Sequence, residues 1–139
     1  MVVLVVEDEA IIGYCSAATL EDAGHTVLGP AHTASEAREL ARKRRPEVAL
    51  VDIDLEIPGA GIGLAQQLQA HYGTKIVFTT GRLDVARAHS DIAADVISKP
   101  YDPAALPGIV SSARRTRREP PARSRSATFT VSSPLTSSR

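Results

Sequence analysis

Four apolar runs in this 139-residue chain stop abruptly at groups that can do chemistry. Val2-Val-Leu-Val-Val6 runs into Glu7-Asp8-Glu9, and Val48-Ala-Leu-Val51 runs into Asp52 and Asp54. Lys75-Ile-Val-Phe-Thr-Thr80 ends in a hydroxyl followed by Gly81, and Asp95-Val-Ile-Ser98 leads into Lys99-Pro100. Carboxylates gathered in one crevice repel each other unless a cation joins them. All-oxygen ligation with positions open to water suits a hard octahedral ion such as Mg²⁺. Glu7, Asp8 and Asp52 are therefore the core of a candidate metal site, with Asp54 as a fourth carboxylate. Thr80 offers a hydroxyl donor and Lys99 a fixed positive charge, so metal, ammonium and hydroxyl together can surround a dianionic phosphoryl group. Asp52, central in this set, is the expected nucleophile, forming an aspartyl-phosphate whose charge the metal and Lys99 neutralise.

For these groups to meet, the apolar runs must be strands whose ends lie side by side. Continuous β-branched stretches such as residues 2–6 and 48–51 read as strands buried on both faces of a parallel sheet. A helix follows the first acids, with Ile11, Cys15 and Ala18 recurring at helical spacing as its apolar face and Gly24 closing it before a weaker strand at 26–29. Thr33-Ala-Ser-Glu36 matches a capping box and opens a second helix, which ends at Lys43-Arg44-Arg45 and is stopped by Pro46. A loop containing Gly and Pro reaches Gly63, and a helix then runs through Leu64, Leu68 and His71. Residues 83–90 make a short helix and 95–98 a fifth strand. Asp102 caps a last helix with Pro103 at its first position and Leu106, Ile109, Val110 and Ala113 as its stripe; Pro107 removes a donor one turn in, so this helix starts late or bends. Five strands alternating with five helices specify an α/β, flavodoxin-like, doubly wound five-stranded parallel sheet in the order 2-1-3-4-5. Ligands bind such sheets beyond the carboxyl ends of the strands, where the winding reverses between the first and third. Glu7, Asp8 and Asp52 stand at those two ends.

Composition narrows the class. At 43% hydrophobic and 23% charged residues the chain is globular rather than fibrous or disordered, and with only two Phe, three Tyr and no Trp its core must be aliphatic. The single cysteine, Cys15, excludes an internal disulfide and fits the cytoplasm; it is read as packing on the first helix. The apolar start is cut off after Val6, too short for a signal peptide or a membrane span. His25, His32, His71 and His89 are scattered without metal-ligand spacing and are read as turn or surface residues. Residues 1–113 carry nine Lys and Arg against fifteen Asp and Glu, whereas residues 114–139 carry seven Arg against one Glu. That boundary separates a folded domain, 1–113, from a basic Ser/Pro/Arg-rich tail, 114–139, expected to be disordered. The tail is the only feature that points to nucleic acid, and then only to weak contact.

Glu7-Asp8, Val51-Asp52-Ile-Asp54, Thr80-Gly81 and Lys99-Pro100 resemble, in order and spacing, the receiver domain of two-component response regulators over residues 1–113. The resemblance implies that Asp52 is the phosphoacceptor, that Glu7 and Asp8 hold Mg²⁺ partly through water, and that Asp54 gives its backbone carbonyl to the metal. It makes Thr80 the switch hydroxyl and Lys99 the phosphoryl-binding cation, with a cis peptide before Pro100. The loop Leu55-Glu-Ile-Pro-Gly-Ala-Gly-Ile-Gly63 is longer than the family's usual Met-Pro-Gly-x-x-Gly. Phe78-Thr-Thr-Gly-Arg82 is similar to the Phe-x-Thr-Gly-Tyr signature of the FATGUY receivers of alphaproteobacterial signalling, with Arg82 replacing the Tyr. Val96 stands where many receivers carry an aromatic switch residue. By analogy with the family, Asp54 and Arg82 tune the lifetime of the phosphoryl group. The function implied is a stand-alone receiver, not an enzyme acting on a separate substrate. It takes a phosphoryl group from a phosphohistidine of a histidine kinase or phosphotransfer protein, then docks a downstream protein near residues 80–110 or acts as a phosphate sink. The alternatives are a pseudo-receiver that binds partners without phosphotransfer and a small phosphatase of the haloacid-dehalogenase kind, whose Asp-x-Asp nucleophile motif is echoed by Asp52 and Asp54.

Overall fold

In the computed structural model, which describes residues 1–116, the apolar runs form five parallel strands: β1 (Val2–Val6), β2 (Thr26–Ala31), β3 (Val48–Asp52), β4 (Lys75–Thr80) and β5 (Ala93–Ser98). Their order is β2-β1-β3-β4-β5, as the alternating pattern requires, and it is the flavodoxin-like doubly wound arrangement. The connections are α1 (Ala10–Asp22), α2 (Ala34–Lys43), α3 (Ala60–Tyr72), α4 (Leu83–Ala88) and α5 (Leu106–Arg115). Side chains alternate across each strand, so the sheet splits the core into two aliphatic layers. Leu4, Val6, Ala49, Val51, Ile76 and Phe78 face one layer, completed by Ala37, Ala41, Leu64 and Leu68. Val3, Val5, Val48, Leu50, Val77 and Ile97 face the other, completed by Leu20, Leu106, Val110 and Ala113. The same alternation carries past the strand ends: Glu7 follows Val5, Asp52 follows Leu50, and Lys99 follows Ile97. Three charged groups are thereby sent to one side of the sheet before any contact between them is considered.

The first helix has a different inner face from the one its larger apolar residues suggest. Ile11 is 79% exposed, Tyr14 70% exposed, and Cys15 is also outside, while Gly13, Ser16, Ala17 and Leu20 are buried. The reason is a close approach: a Cβ on Gly13 would lie 3.0 Å from the Cβ of Pro30 in β2, so only small residues fit where α1 crosses the sheet edge. Buried Ser16 is satisfied by the Tyr101 hydroxyl at 2.9 Å. Cys15 is therefore a surface residue, not a packing residue.

The last helix starts late, as Pro107 leads us to expect. The Asp102 carboxylate accepts the Ala104 N–H at 3.0 Å and caps a 3-10 turn, Pro103–Ala105, and α5 itself starts at Leu106. Pro107 then sits in the first turn, where its missing N–H has no helical partner to lose. That helix runs to Arg115, two residues past the expected boundary at 113; residues 117–139, where the tail is expected to be disordered, lie outside the described residues. Elements elsewhere differ at their edges: β2 continues through Pro30 to Ala31, β5 begins at Ala93, and α3 begins at Ala60 instead of after Gly63.

The start of α3 has a steric cause that bears on the site. Gly61 N–H donates to the Ile53 carbonyl at 2.8 Å, and a Cβ at Gly61 would stand 2.0 Å from the Asp52 carbonyl oxygen. Only glycine allows the helix to begin directly against the end of β3.

The inner face of α1 makes a direct test. Leu20→Ala should lower stability by about 2–5 kcal/mol, whereas Ile11→Ser should change it by no more than about 0.5 kcal/mol in urea denaturation followed by circular dichroism. Equal losses would restore the outward residues to the core.

Candidate functional site

Each site residue stands at or just past the C-terminal end of a strand, so the crevice is built from four different strand ends. Asp52 closes β3 and is 5% exposed; Glu7 follows β1 and is 3% exposed; Asp8, next to it, is exposed. One oxygen from each of these three carboxylates lies within 4.8 Å of the others. Lys99, just past β5, extends between two of them: its Nζ is 2.8 Å from Glu7 Oε1 and 3.1 Å from Asp52 Oδ2. Backbone donors hold the other oxygens. Asp54 N–H donates to Asp52 Oδ1 at 3.1 Å, and Glu9 N–H donates to Glu7 Oε2 at 3.1 Å.

The charges do not balance. Two buried carboxylates share one ammonium, and Glu7 Oε1, although paired with Lys99 by charge, has no hydrogen bond of good geometry among the described residues. Burial pushes the Glu7 carboxyl up, and nearby Asp52 adds to the rise; the Lys99 ammonium and the Glu9 N–H oppose it without cancelling it. Lys99 is also raised: burial works against its charge, but Glu7 and Asp52 outweigh burial. An under-satisfied buried carboxylate oxygen in a cluster of hard oxygen donors is the environment that a divalent hard cation completes. The residues present fit Mg²⁺, with Glu7, Asp8 and Asp52 as the group that could hold it.

The remaining expected residues form a second tier around this centre. Thr80 is fully buried at the end of β4, and its Oγ1 accepts the Arg82 N–H at 2.8 Å. The Asp54 carboxylate is turned away from the cluster and held by Arg82, with Nη2 at 2.5 Å from Oδ1 and Nε at 3.1 Å from Oδ2, while the Gly59 N–H donates to Oδ1 at 2.9 Å. The Arg82 guanidinium beside it holds the Asp54 carboxyl below the usual carboxylate range. The Lys99–Pro100 peptide is cis. Val96 pairs with Phe78 across β4 and β5 and packs on the core as a partly buried aliphatic.

Three contributors escape a reading by residue type. Gly61 is needed for the close approach to Asp52; its only signal is one glycine among several in the 59–63 stretch. His32, read as a surface residue, is exposed, yet its Nδ1 lies 3.0 Å from the Glu7 carbonyl and helps fix the end of β1. Glu56, in the long loop, donates its backbone N–H to Asp8 Oδ2 at 3.1 Å. The extra loop length was the only hint of the last.

Known proteins share both pattern and shape. The family model for the response regulator receiver domain matches residues 3–111. The phyllosphere-induced regulator PhyR of Methylorubrum extorquens is 30% identical over 113 residues, covering 80% of this chain but 42% of that protein, so the chain spans less than half of this relative. The receiver domain of NtrX from Brucella abortus superposes with a TM-score of 0.74 at 28% identity, covering 83% of this chain and 99% of that one. A response regulator from Burkholderia pseudomallei, solved with a phosphorylated aspartic acid, a calcium ion and citrate, gives a TM-score of 0.68 at 26% identity, covering 83% and 66%. With the same fold as these receivers and a family match across nearly all of the described residues, this chain belongs to the response regulator receiver domain family.

Proposed function

We propose that the protein is a cytoplasmic phosphorylation switch in which Asp52 accepts a phosphoryl group from a phosphohistidine of a histidine kinase or phosphotransfer protein. The single observation that carries this reading is the under-compensated cluster of Glu7, Asp8 and Asp52 with Lys99 between its two buried members. Asp52 attacks phosphorus as the donor's N–P bond breaks and the imidazole regains a proton; Lys99 stays within reach of the oxygens that gain charge. Mg²⁺, held by Glu7, Asp8 and Asp52, would supply further neutralisation of the phosphoryl charge. The Burkholderia pseudomallei regulator, with its phosphorylated aspartic acid and calcium ion, supports the same chemistry here.

Thr80 links the centre to the surface. Its hydroxyl oxygen accepts the Arg82 N–H, and Arg82 in turn grips Asp54, so reorienting Thr80 towards a new phosphoryl oxygen gives up one anchor of the segment after β4. We assign the downstream docking face to residues 80–110 on this ground; the effect is either partner binding or a phosphate sink. With Val96 in place of an aromatic, this route runs through backbone and Arg82. The Phe78-x-Thr80-Gly81 stretch supports a place among the FATGUY receivers, with Arg82 as the departure.

The phosphodonor needs its own face. A groove of about 420 Å³ beside Lys99 is lined by Ile11, Ile12, Cys15, Pro100 and Tyr101, and the outward turn of α1 is what exposes Ile11 there. Lys99, shared by this groove and the site, supports reading the groove as the docking face for the phosphohistidine protein.

Three outcomes test the reading. Incubation with acetyl phosphate and Mg²⁺ should add one phosphate by intact mass, lost in Asp52→Ala and with a chelator; no adduct, even with a histidine kinase as donor, would favour the pseudo-receiver, and turnover of a soluble phosphomonoester would favour the phosphatase. Ile11→Asp should slow transfer from a phosphohistidine protein about tenfold while leaving acetyl phosphate labelling unchanged. Because the folded-state value of Glu7 is raised, its stabilising contribution is complete at pH below the ordinary glutamate range and is lost as pH rises through the raised value. Glu7→Gln should therefore raise the urea midpoint at pH 7 without metal and reduce the stabilisation gained from Mg²⁺. A lowered midpoint would mean that the Lys99 ion pair outweighs burial.

A further inference from the structure

Glu56 is the only residue other than glycine with a positive φ among the described residues, at 67°. This left-handed backbone is unfavourable for an L side chain with a Cβ, and a glutamate has no short polar group with which to stabilise it locally. Two contacts account for its persistence. The Glu56 carboxylate reaches across to α2, where its Oε1 accepts the Ala34 N–H at 3.0 Å. That N–H is the first of the helix and has no helical partner, and the positive end of the helix favours an anion there. The Glu56 backbone N–H meanwhile donates to Asp8 Oδ2 at 3.1 Å.

The flanks of the loop leave Glu56 little freedom. Leu55 is fully buried in the layer under α2 and α3, and the Gly59 N–H is held by Asp54. With Leu55 anchored on one side and the side chain of Glu56 clamped on α2, the peptide before Glu56 is turned so that its N–H meets Asp8. Asp8 stands exposed, unlike Glu7 and Asp52, and has no burial to limit its rotamers. We propose that Glu56 is a positioning residue for the metal centre: its carboxylate locks the loop onto α2 so that its own N–H holds one oxygen of Asp8 and leaves the other presented towards Glu7 and Asp52. The proposal rests on the assignment of Glu7, Asp8 and Asp52 to Mg²⁺.

The test uses the full chain, with Mg²⁺ binding read by isothermal titration calorimetry and amide hydrogen exchange read without metal. Glu56→Gln keeps an oxygen that can accept the Ala34 N–H and should bind Mg²⁺ within about twofold of the parent. Glu56→Ala loses the clamp; it should bind about tenfold more weakly, and exchange at the amides of residues 34 and 56 should be at least tenfold faster. Glu56→Gly favours the left-handed backbone but lacks the clamp, and it should exchange as fast as Glu56→Ala. Equal weakening in Glu56→Gln and Glu56→Ala would make the effect one of charge alone and overturn the proposal, as would full Mg²⁺ affinity in Glu56→Ala. Absence of Mg²⁺ binding in the parent chain would instead remove the metal assignment, and the proposal with it.

Discussion

Two carboxylates are buried at the ends of neighbouring strands with one ammonium between them, and this imbalance organises the crevice. Burying a charge is costly unless it is paired, and a lone ion pair in the interior seldom repays its desolvation in full. Lys99 lies within 3.1 Å of both Asp52 and Glu7, yet it neutralises only one charge; burial first, and the neighbouring Asp52 second, make Glu7 hold its proton more tightly than a free glutamate does. The residual negative charge is an attraction for a cation and, once a cation is bound, for a phosphoryl group. Strand order matters for the same reason. β5 is separated from β3 by β4, about 10 Å at ordinary strand spacing, and the long stem of a lysine is what allows a charge beyond β5 to reach Asp52.

Around that centre the loops are held by polar contacts as well as apolar burial. Thr80, Arg82 and Asp54 form one chain of hydrogen bonds on the β4 side, and Gly59 joins it from the long loop. Glu56 joins the same loop to α2 on the other side. Asp54 and Gly59, at the two ends of the segment after β3, thus share the tie to Arg82, while Glu56 between them is tied to α2. Leu55 is the apolar anchor between these polar ties.

The aliphatic core makes this economy possible. Ala37, Ala41, Ala49 and Ala65 are fully buried, and on α1 the inward face is Gly13, Ser16, Ala17 and Leu20. Small residues let α1 and α2 lie close to the sheet, which brings the first turn of α2 within reach of Glu56 and turns Ile11 and Tyr14 to the surface. Exposed apolar groups beside a charged crevice are consistent with a surface that works by contact.

The strands, their order and the acids at their ends were legible in the sequence because side-chain alternation and abrupt apolar-to-charged boundaries are local signals. Val5 predicts the side of Glu7, Leu50 that of Asp52, and Ile97 that of Lys99, so residue order alone sends three charged groups to one side of the sheet. Helix ends were less legible. Asp102 and Pro103 signal a helical start yet open a 3-10 turn, and the late start that Pro107 indicates is found at Leu106, which places Pro107 in the first turn. The inner face of α1 was not legible at all: periodicity favours Ile11 and Cys15, and the contact between Gly13 and Pro30 overrules it. Glu56 belongs to the same class, because its backbone conformation depends on an N–H at residue 34 and a carboxylate at residue 8, both distant in sequence. The sequence determined which chemical groups end which strands, through patterns a few residues long. Which small residues must face inward and which loop atoms hold the acids depend instead on how closely separate elements approach, and that distance is set by the packed fold.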